Sequence, residues 1–273
     1  MDFKARSIRT ALSKNCKGDW KKRYEKRKKK EARSKEEIEG AFYDRKAKVL
    51  IIGDEDYPEY FTHCLYPPRV LYYYGNLSLL FSRYRLTCVG TRTPTIYQYD
   101  TCYRLIKERE EKRKNSVTVV SGRAIGLDEA CRRAARDKGA GVIAVLGSGI
   151  DFCYPDKNKD IYEYCKSGKG LVLSEYPSSL PPEKENFLFR NRLRASLSEV
   201  IFIGGGSSLR SGTKSLVRLG LERNKEILAL PCNVTGDDLT NLIIKDGADV
   251  VLSSTDLIDQ LKDCYRTSEK KKA

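Results

Sequence analysis

The sequence predicts an α/β protein built on a mostly parallel sheet with helices on both faces. Three observations lead there. From residue 49 onward, short β-branched runs alternate with amphipathic stretches, the pattern of βαβ units. Several of the runs, among them Val142–Leu146, Val200–Ile203 and Ile227–Leu230, are apolar throughout, as strands covered on both faces must be. A chain of 273 residues, 40% of them hydrophobic, is long enough to bury the core such a sheet needs.

Taken in order, the predicted strands are Val49–Ile52, Val70–Tyr74, Leu86–Val89, Val117–Val120, Val142–Leu146, Leu171–Ser174, Val200–Ile203, Ile227–Leu230 and Val250–Leu252. The predicted helices cover 95–114, 126–138, 157–168, 186–197, 213–224, 238–246 and 255–265. Residues 176–185 (YPSSLPPEKE) read as a Pro/Ser loop. Before residue 49 the chain is highly charged and reads as helical. The expected organisation is therefore a basic helical N-terminal segment over 1–48, an α/β body over 49–268 and a basic tail over 269–273.

Charge is unevenly spread. The total is +15, from 52 Lys+Arg against 37 Asp+Glu. Residues 1–48 carry 18 basic and 8 acidic side chains, and 269–273 carry three Lys and one Glu, so the body holds only +3. The basic peak at 21–30 (KKRYEKRKKK) has two readings: a solvated helix, or an arm for a polyanion, since cations neutralising phosphates release counterions. It has no clear apolar face for a membrane surface. No run of 18 apolar residues occurs, so no membrane insertion is expected. The N-terminus has no apolar core of a signal peptide, which leads to the expectation of a cytoplasmic protein. One histidine, His63, excludes a two-His metal site within the chain. Nine cysteines without a C-x-x-C pair argue for reduced thiols and against a zinc ribbon.

Ligands of open α/β sheets bind outside the carboxyl ends of the strands. Those ends carry small residues here: Gly90-Thr91-Arg92, Ser121-Gly122-Arg123-Ala124-Ile125-Gly126, Gly147-Ser148-Gly149, Glu175-Tyr176-Pro177, and Gly204-Gly205-Gly206 followed by Arg210-Ser211-Gly212-Thr213. Small residues let backbone approach a ligand, and Arg92, Arg123 and Arg210 add charge for phosphate. Ordinary strand-to-helix turns also need Gly and Ser, but five such loops on one edge, three with arginine, favour a phosphate-binding edge. Downstream, Asn186-Phe187-Leu188-Phe189-Arg190-Asn191-Arg192-Leu193-Arg194 interleaves aromatics with arginines, a combination suited to single-stranded nucleic acid. The plainer reading puts both Phe residues in the core. Arg190 and Arg192 diverge on a helix and cannot both face one phosphate. One is expected on the DNA and the other on a carboxylate such as Glu175, with Arg192 favoured for the DNA.

These segments, in this order, resemble the DNA-processing protein DprA (Smf) family from about Asp56 to Asp256. The carriers are Tyr57-Pro58, Pro68-Arg69-Val70-Leu71-Tyr72 and Gly75-Asn76, then Val89-Gly90-Thr91-Arg92, then Ser121-Gly122-x-Ala124-x-Gly126-Leu127-Asp128. They continue with Ala144-Val145-Leu146-Gly147-x-Gly149, Leu173-Ser174-Glu175-Tyr176-Pro177, Asn186-Phe187-x-x-Arg190-Asn191-Arg192, Arg210-Ser211-Gly212-Thr213 and Ala229-Leu230-Pro231. The resemblance implies an extended Rossmann-like fold. It implies a single-stranded DNA-binding protein that protects incoming DNA and loads RecA recombinase during natural transformation, acting as a homodimer, without catalysis and without a cofactor. The DNA-binding set it implies, joined to the strand-end residues, is Gly90, Thr91, Arg92, Ser121, Gly122, Arg123, Gly126, Arg190, Asn191, Arg192, Arg210 and Lys214.

Two further readings compete. A phosphoribohydrolase of related fold would place a catalytic carboxylate just after Gly212-Thr213, where Lys214 and Ser215 stand, leaving Glu175 as the remaining candidate. A dinucleotide oxidoreductase fits less well, because Gly147-Ser148-Gly149-Ile150-Asp151-Phe152 ends in Phe where a third glycine belongs. A nucleotide-sensing module of the same broad fold stays open.

Overall fold

A computed structural model describes residues 47–64, 66–112, 117–122, 124–154, 157, 159–178, 180–206, 212–234 and 239–270. The basic segment expected over 1–48 lies outside the described residues except for its last two, and the tail expected over 269–273 except for its first two.

Nine strands form one sheet: β1 Lys48–Ile51, β2 Val70–Gly75, β3 Arg85–Val89, β4 Thr118–Ser121, β5 Gly141–Val145, β6 Leu171–Ser174, β7 Val200–Ile203, β8 Glu226–Ala229 and β9 Asp249–Val250. Their order is β1-β2-β6-β5-β4-β3-β7-β8-β9. From β6 to β9 all pairings are parallel, while β2 runs antiparallel to both β6 and β1. The helices are α1 Ile96–Lys112, α2 Leu127–Asp137, α3 Lys159–Tyr164, α4 Lys184–Phe189, α5 Asn191–Leu197, α6 Gly212–Leu221, α7 Leu239–Lys245 and α8 Ser254–Lys270.

The period-2 geometry of the strands divides the core between two faces. Val119, Val142, Ala144, Val172, Val200 and Phe202 meet Leu105 and Ile106 of α1, Ala130 and Ala134 of α2, and Leu257 and Leu261 of α8. Their neighbours Val120, Ile143, Val145, Leu171 and Leu173 meet Leu193 and Leu197 of α5, and Ile201 and Ile203 meet Leu216 and Val217 of α6. Since both faces are covered, the strands can be apolar at every position. The mostly parallel sheet with helices on both faces is the architecture read from the sequence.

Some boundaries differ. The stretch expected as a helix over 186–197 is two helices joined at Arg190, where Leu193 N–H bonds Arg190 O at 2.9 Å, a tighter turn than the α-helical one. Helix 157–168 ends early in a wide turn, Cys165–Lys169, closed by Gly168 at φ +87°. Two short 3₁₀ helices, Glu59–Phe61 and Leu77–Phe81, were not expected. The second is capped by Asn76, whose Oδ1 accepts from Ser78 N–H at 3.0 Å.

The topology fixes where a ligand belongs. β3 continues through α1 to β4 on one face, and its neighbour β7 continues through α6 to β8 on the other. The connections part between β3 and β7, and in open α/β sheets ligands bind at the carboxyl ends of the strands beside such a parting.

At the antiparallel edge, Gly75 has φ +94°, and a Cβ there would lie 2.2 Å from the carbonyl oxygens of Cys165 and Gly170. Gly75→Ala therefore meets both backbone strain and rigid atoms, and is expected to cost about 1–3 kcal/mol. The check is a lowered midpoint of urea unfolding with an unchanged slope.

Candidate nucleic-acid interface

Helix α5 runs beneath the carboxyl ends of four strands and sends one arginine system to each side. Arg190, at its start, reaches between β4 and β5: its Nη1 donates to Gly122 O at 2.8 Å and also to Val145 O. Arg194, one turn on, donates through Nη2 to Cys88 O of β3 at 2.6 Å and stands 3.2 Å from Asp128 Oδ2. Arg192 points the other way, toward β6, and clasps Glu175 in a two-pronged pair, Nη1–Oε1 2.6 Å and Nη2–Oε2 2.5 Å. The 200° divergence of residues two apart on a helix produces this split. All three arginines, Glu175 and Asp128 are buried.

The loop after β4 is held from below. Asp128, in the first turn of α2, accepts from Gly122 N–H at 2.9 Å. Arg132, one turn further, donates to Ser121 Oγ and Ala124 O, both at 3.2 Å. A Cβ at Gly122 would sit 2.7 Å from the Arg190 guanidinium nitrogens and would displace them from their carbonyl partners. Gly126 has φ +83°, and a Cβ would approach Thr91 O to 2.4 Å. The same carbonyl accepts from Leu127 N–H at 3.2 Å, which locks the 90–92 turn against the start of α2.

Above this frame the charge is lopsided. Among the described residues no carboxylate lies within ion-pair distance of Arg190, which carbonyl oxygens alone receive. Burial, with the Arg194 charge beside it, pushes its guanidinium down to about 9, so it stays cationic at neutral pH. Arg92 is near enough to add to that repulsion and is itself exposed. Arg190 thus lies among the cations of Arg194 and Arg92, with Asp128 as the carboxylate that acts on it. An anion over Gly90–Arg92 would relieve that excess.

Two aromatic pairs border α4. Tyr154 and Phe187 have ring centroids 6.1 Å apart, with the Arg190 guanidinium 5.8 Å from Phe187. Tyr66 and Phe189 are 6.3 Å apart, with the Arg192 guanidinium 3.8 Å over Phe189. Both Phe residues are half-buried, between the core and the surface readings.

The chain matches the family model for DNA recombination-mediator protein A over residues 48–262. The chain belongs to the DNA recombination-mediator protein A family. It is 33% identical to Protein Smf of Synechocystis over 217 residues, 78% of this chain and 53% of that protein. It is 31% identical to the DNA processing protein DprA of Streptococcus pneumoniae over 77% of this chain and 73% of that one. The chain thus spans about half the length of the first of these relatives and about three quarters of the second. The X-ray structure of the S. pneumoniae protein superposes with a TM-score of 0.75 at 25% identity, covering 95% of this chain and 97% of that chain. A structure addressing the single-stranded DNA binding mode of the Helicobacter pylori protein superposes at 0.70 with 32% identity, covering 80% of this chain and 96% of that chain.

Within this family member, the candidate residues divide by depth. Arg92 and Lys214 are exposed, and Gly90 and Thr91 are half-exposed. Ser121, Gly122, Gly126, Arg190, Asn191 and Arg192 are buried. Arg123 and Arg210 lie outside the described residues. The expectation that Arg192 meets the DNA while Arg190 pairs with Glu175 is corrected: Arg192 holds Glu175, and its guanidinium is fully engaged below the surface. Asn191 Nδ2 donates to Gly212 O at 3.1 Å, tying α5 to the start of α6. Sequence reasoning left out Arg194, Arg132 and Asp128. The signal for them was present, since Asp128 opens a helix after a glycine loop and Arg194 follows Arg190 by one turn.

Glu175→Gln would leave the Arg192 cation buried and unpaired. A loss of about 3–5 kcal/mol in unfolding free energy is expected, and the apolar double variant Glu175→Leu/Arg192→Met should recover most of it. Chemical denaturation of the three proteins checks this.

Proposed function

We propose that this chain binds single-stranded DNA across the carboxyl ends of β3 and its neighbours, with Arg92 on a phosphate and the half-exposed Gly90-Thr91 backbone beside it. The observation that carries the reading is the exposed Arg92 just past β3, close enough to the buried Arg190 to act on its charge, beside strand ends held by Arg190 and Arg194. Support comes also from the family, one of whose members, from H. pylori, has been described for its single-stranded DNA binding mode. Lys214, exposed at the start of α6, is a second candidate for a phosphate. The buried residues of the candidate set act by shaping the edge.

The reading extends to the role that the family resemblance implies. The protein would protect incoming single strands in the cytoplasm, act as a homodimer and load a RecA-type recombinase, with no catalysis of its own. A hydrolase is disfavoured by a specific observation: Glu175, its remaining carboxylate, is fully buried and held at both oxygens by Arg192. Such a group cannot approach a sugar carbon.

Binding of labelled oligo-dT, duplex DNA and mononucleotides over a salt series tests the reading. Preference for the single strand with a steep salt dependence is expected, whereas tight mononucleotide binding with base release would overturn it. Arg92→Ala should weaken oligo-dT binding by about 1–3 kcal/mol and flatten the logarithmic salt dependence by about one, with unfolding unchanged. Loading is tested separately, by whether the protein accelerates RecA filament assembly on oligo-dT.

The basic N-terminal segment enters the same assay. Deleting residues 1–40 should flatten the salt dependence further while the body keeps its melting temperature. A collapse of thermal stability would make the segment an integral part of the fold.

A further inference from the structure

The two aromatic pairs beside α4 share one construction. In each, a Phe of α4 is followed three residues later by a buried arginine whose guanidinium lies over its ring, and a tyrosine from a distant loop faces it. Tyr66 and Phe189 form the more tightly organised of the two. Arg192 lies 3.8 Å from the Phe189 centroid and also donates through Nε to Tyr66 O at 3.2 Å. One buried cation, fixed by Glu175, therefore positions both walls.

The geometry points to a slot for a nucleobase between Tyr66 and Phe189. This inference rests on the single-strand reading above and names a site within it. Successive stacked bases lie about 3.4 Å apart, so a base held between two rings needs roughly 7 Å. The Tyr66 and Phe189 centroids stand 6.3 Å apart with their planes 36° from parallel, an ordinary ring contact, so the exposed Tyr66 must swing outward to admit a flat heterocycle. Tyr66 adopts φ +54°, in the left-handed region that a bulky aromatic residue rarely occupies. Strain of this kind persists only where the surroundings impose it, and here the Arg192 hydrogen bond to Tyr66 O holds the segment. A lid serving only to shield the Glu175–Arg192 pair would bury both rings, yet Tyr66 keeps 40% of its surface in solvent. Every base has a π face, so the slot would accept any base that is not paired in a duplex.

The test uses the full chain with oligo-dT carrying a single 2-aminopurine moved along the strand, and the variants Tyr66→Leu, Tyr66→Trp, Phe189→Leu and Arg92→Ala. Fluorescence quenching at one position is expected with the unaltered protein. Tyr66→Leu and Phe189→Leu should abolish that quenching and lower affinity about 5- to 20-fold. Tyr66→Trp, which keeps a stacking face, should retain both. If Tyr66→Leu binds like the unaltered chain while Arg92→Ala binds weakly, the slot is overturned and the single-strand reading stands. Equal losses in Tyr66→Leu and Tyr66→Trp would also overturn it, by making Tyr66 structural. If the unaltered chain does not bind oligo-dT, the single-strand reading falls and the slot with it.

Discussion

Three arginines on one short helix hold the carboxyl edge of the sheet together. A parallel strand ends in carbonyl groups that point past its neighbours, and a buried carbonyl without a donor is costly. Here Cys88 O, Gly122 O and Val145 O each receive a guanidinium, and Glu175, just past β6, receives another. Four adjacent strands, β6, β5, β4 and β3, are thereby referenced to one helix. Guanidinium suits the task because its planar fork of five donors can serve several acceptors at once, which a lysine ammonium on a flexible stem does less well.

That frame sets the character of the surface above it. With the strand ends held from below, the loops can be small. Gly122 lies against Arg190, and Gly126 lets α2 begin directly under the Thr91 carbonyl. Burying cations to satisfy carbonyls also leaves charge uncompensated. Among the described residues Arg192 has its carboxylate, Arg190 has none at ion-pair distance, and Arg194 shares Asp128 with the Gly122 amide. The resulting field acts in a region of low dielectric, where it is screened less than surface charge. A residue can thus draw an anion to this edge without touching it.

The sheet was legible in the sequence because its strands are covered on both faces. Runs such as VIAVL and VIFI have no other economical explanation once glycine loops and amphipathic stretches separate them, and all nine appear as strands. Helix limits were less legible. The break at Arg190 comes from its tertiary bonds to Gly122 and Val145, which local periodicity does not record. Site chemistry was legible at the level of the edge and not at the level of the atom. Arg92 and Arg192 are the same residue type at equally suggestive positions, yet one is exposed and the other lies under Phe189. Helical spacing correctly separates Arg190 from Arg192. Which of them faces Glu175 depends on the direction in which α5 crosses the sheet, and that is a property of the whole packing.

The depth of these side chains changes how substitutions at the edge are to be interpreted. Replacing Arg190 removes a donor from two carbonyls and a charge from the floor together, so loss of binding there would mix distortion with electrostatics. Arg92 is free of that ambiguity: it is exposed, and the Gly126–Thr91 contact that shapes its turn is made by backbone alone. Salt separates the two contributions further. A direct phosphate contact appears in the ion dependence of binding, whereas loosening of a buried frame appears first in unfolding. Arg192 belongs to the second kind by its bond to Glu175, and it governs the Tyr66–Phe189 walls through the same guanidinium. The fold and the proposed reading surface would therefore share components, with the shared ones buried and the ones proposed for DNA alone, Arg92 and Tyr66, exposed.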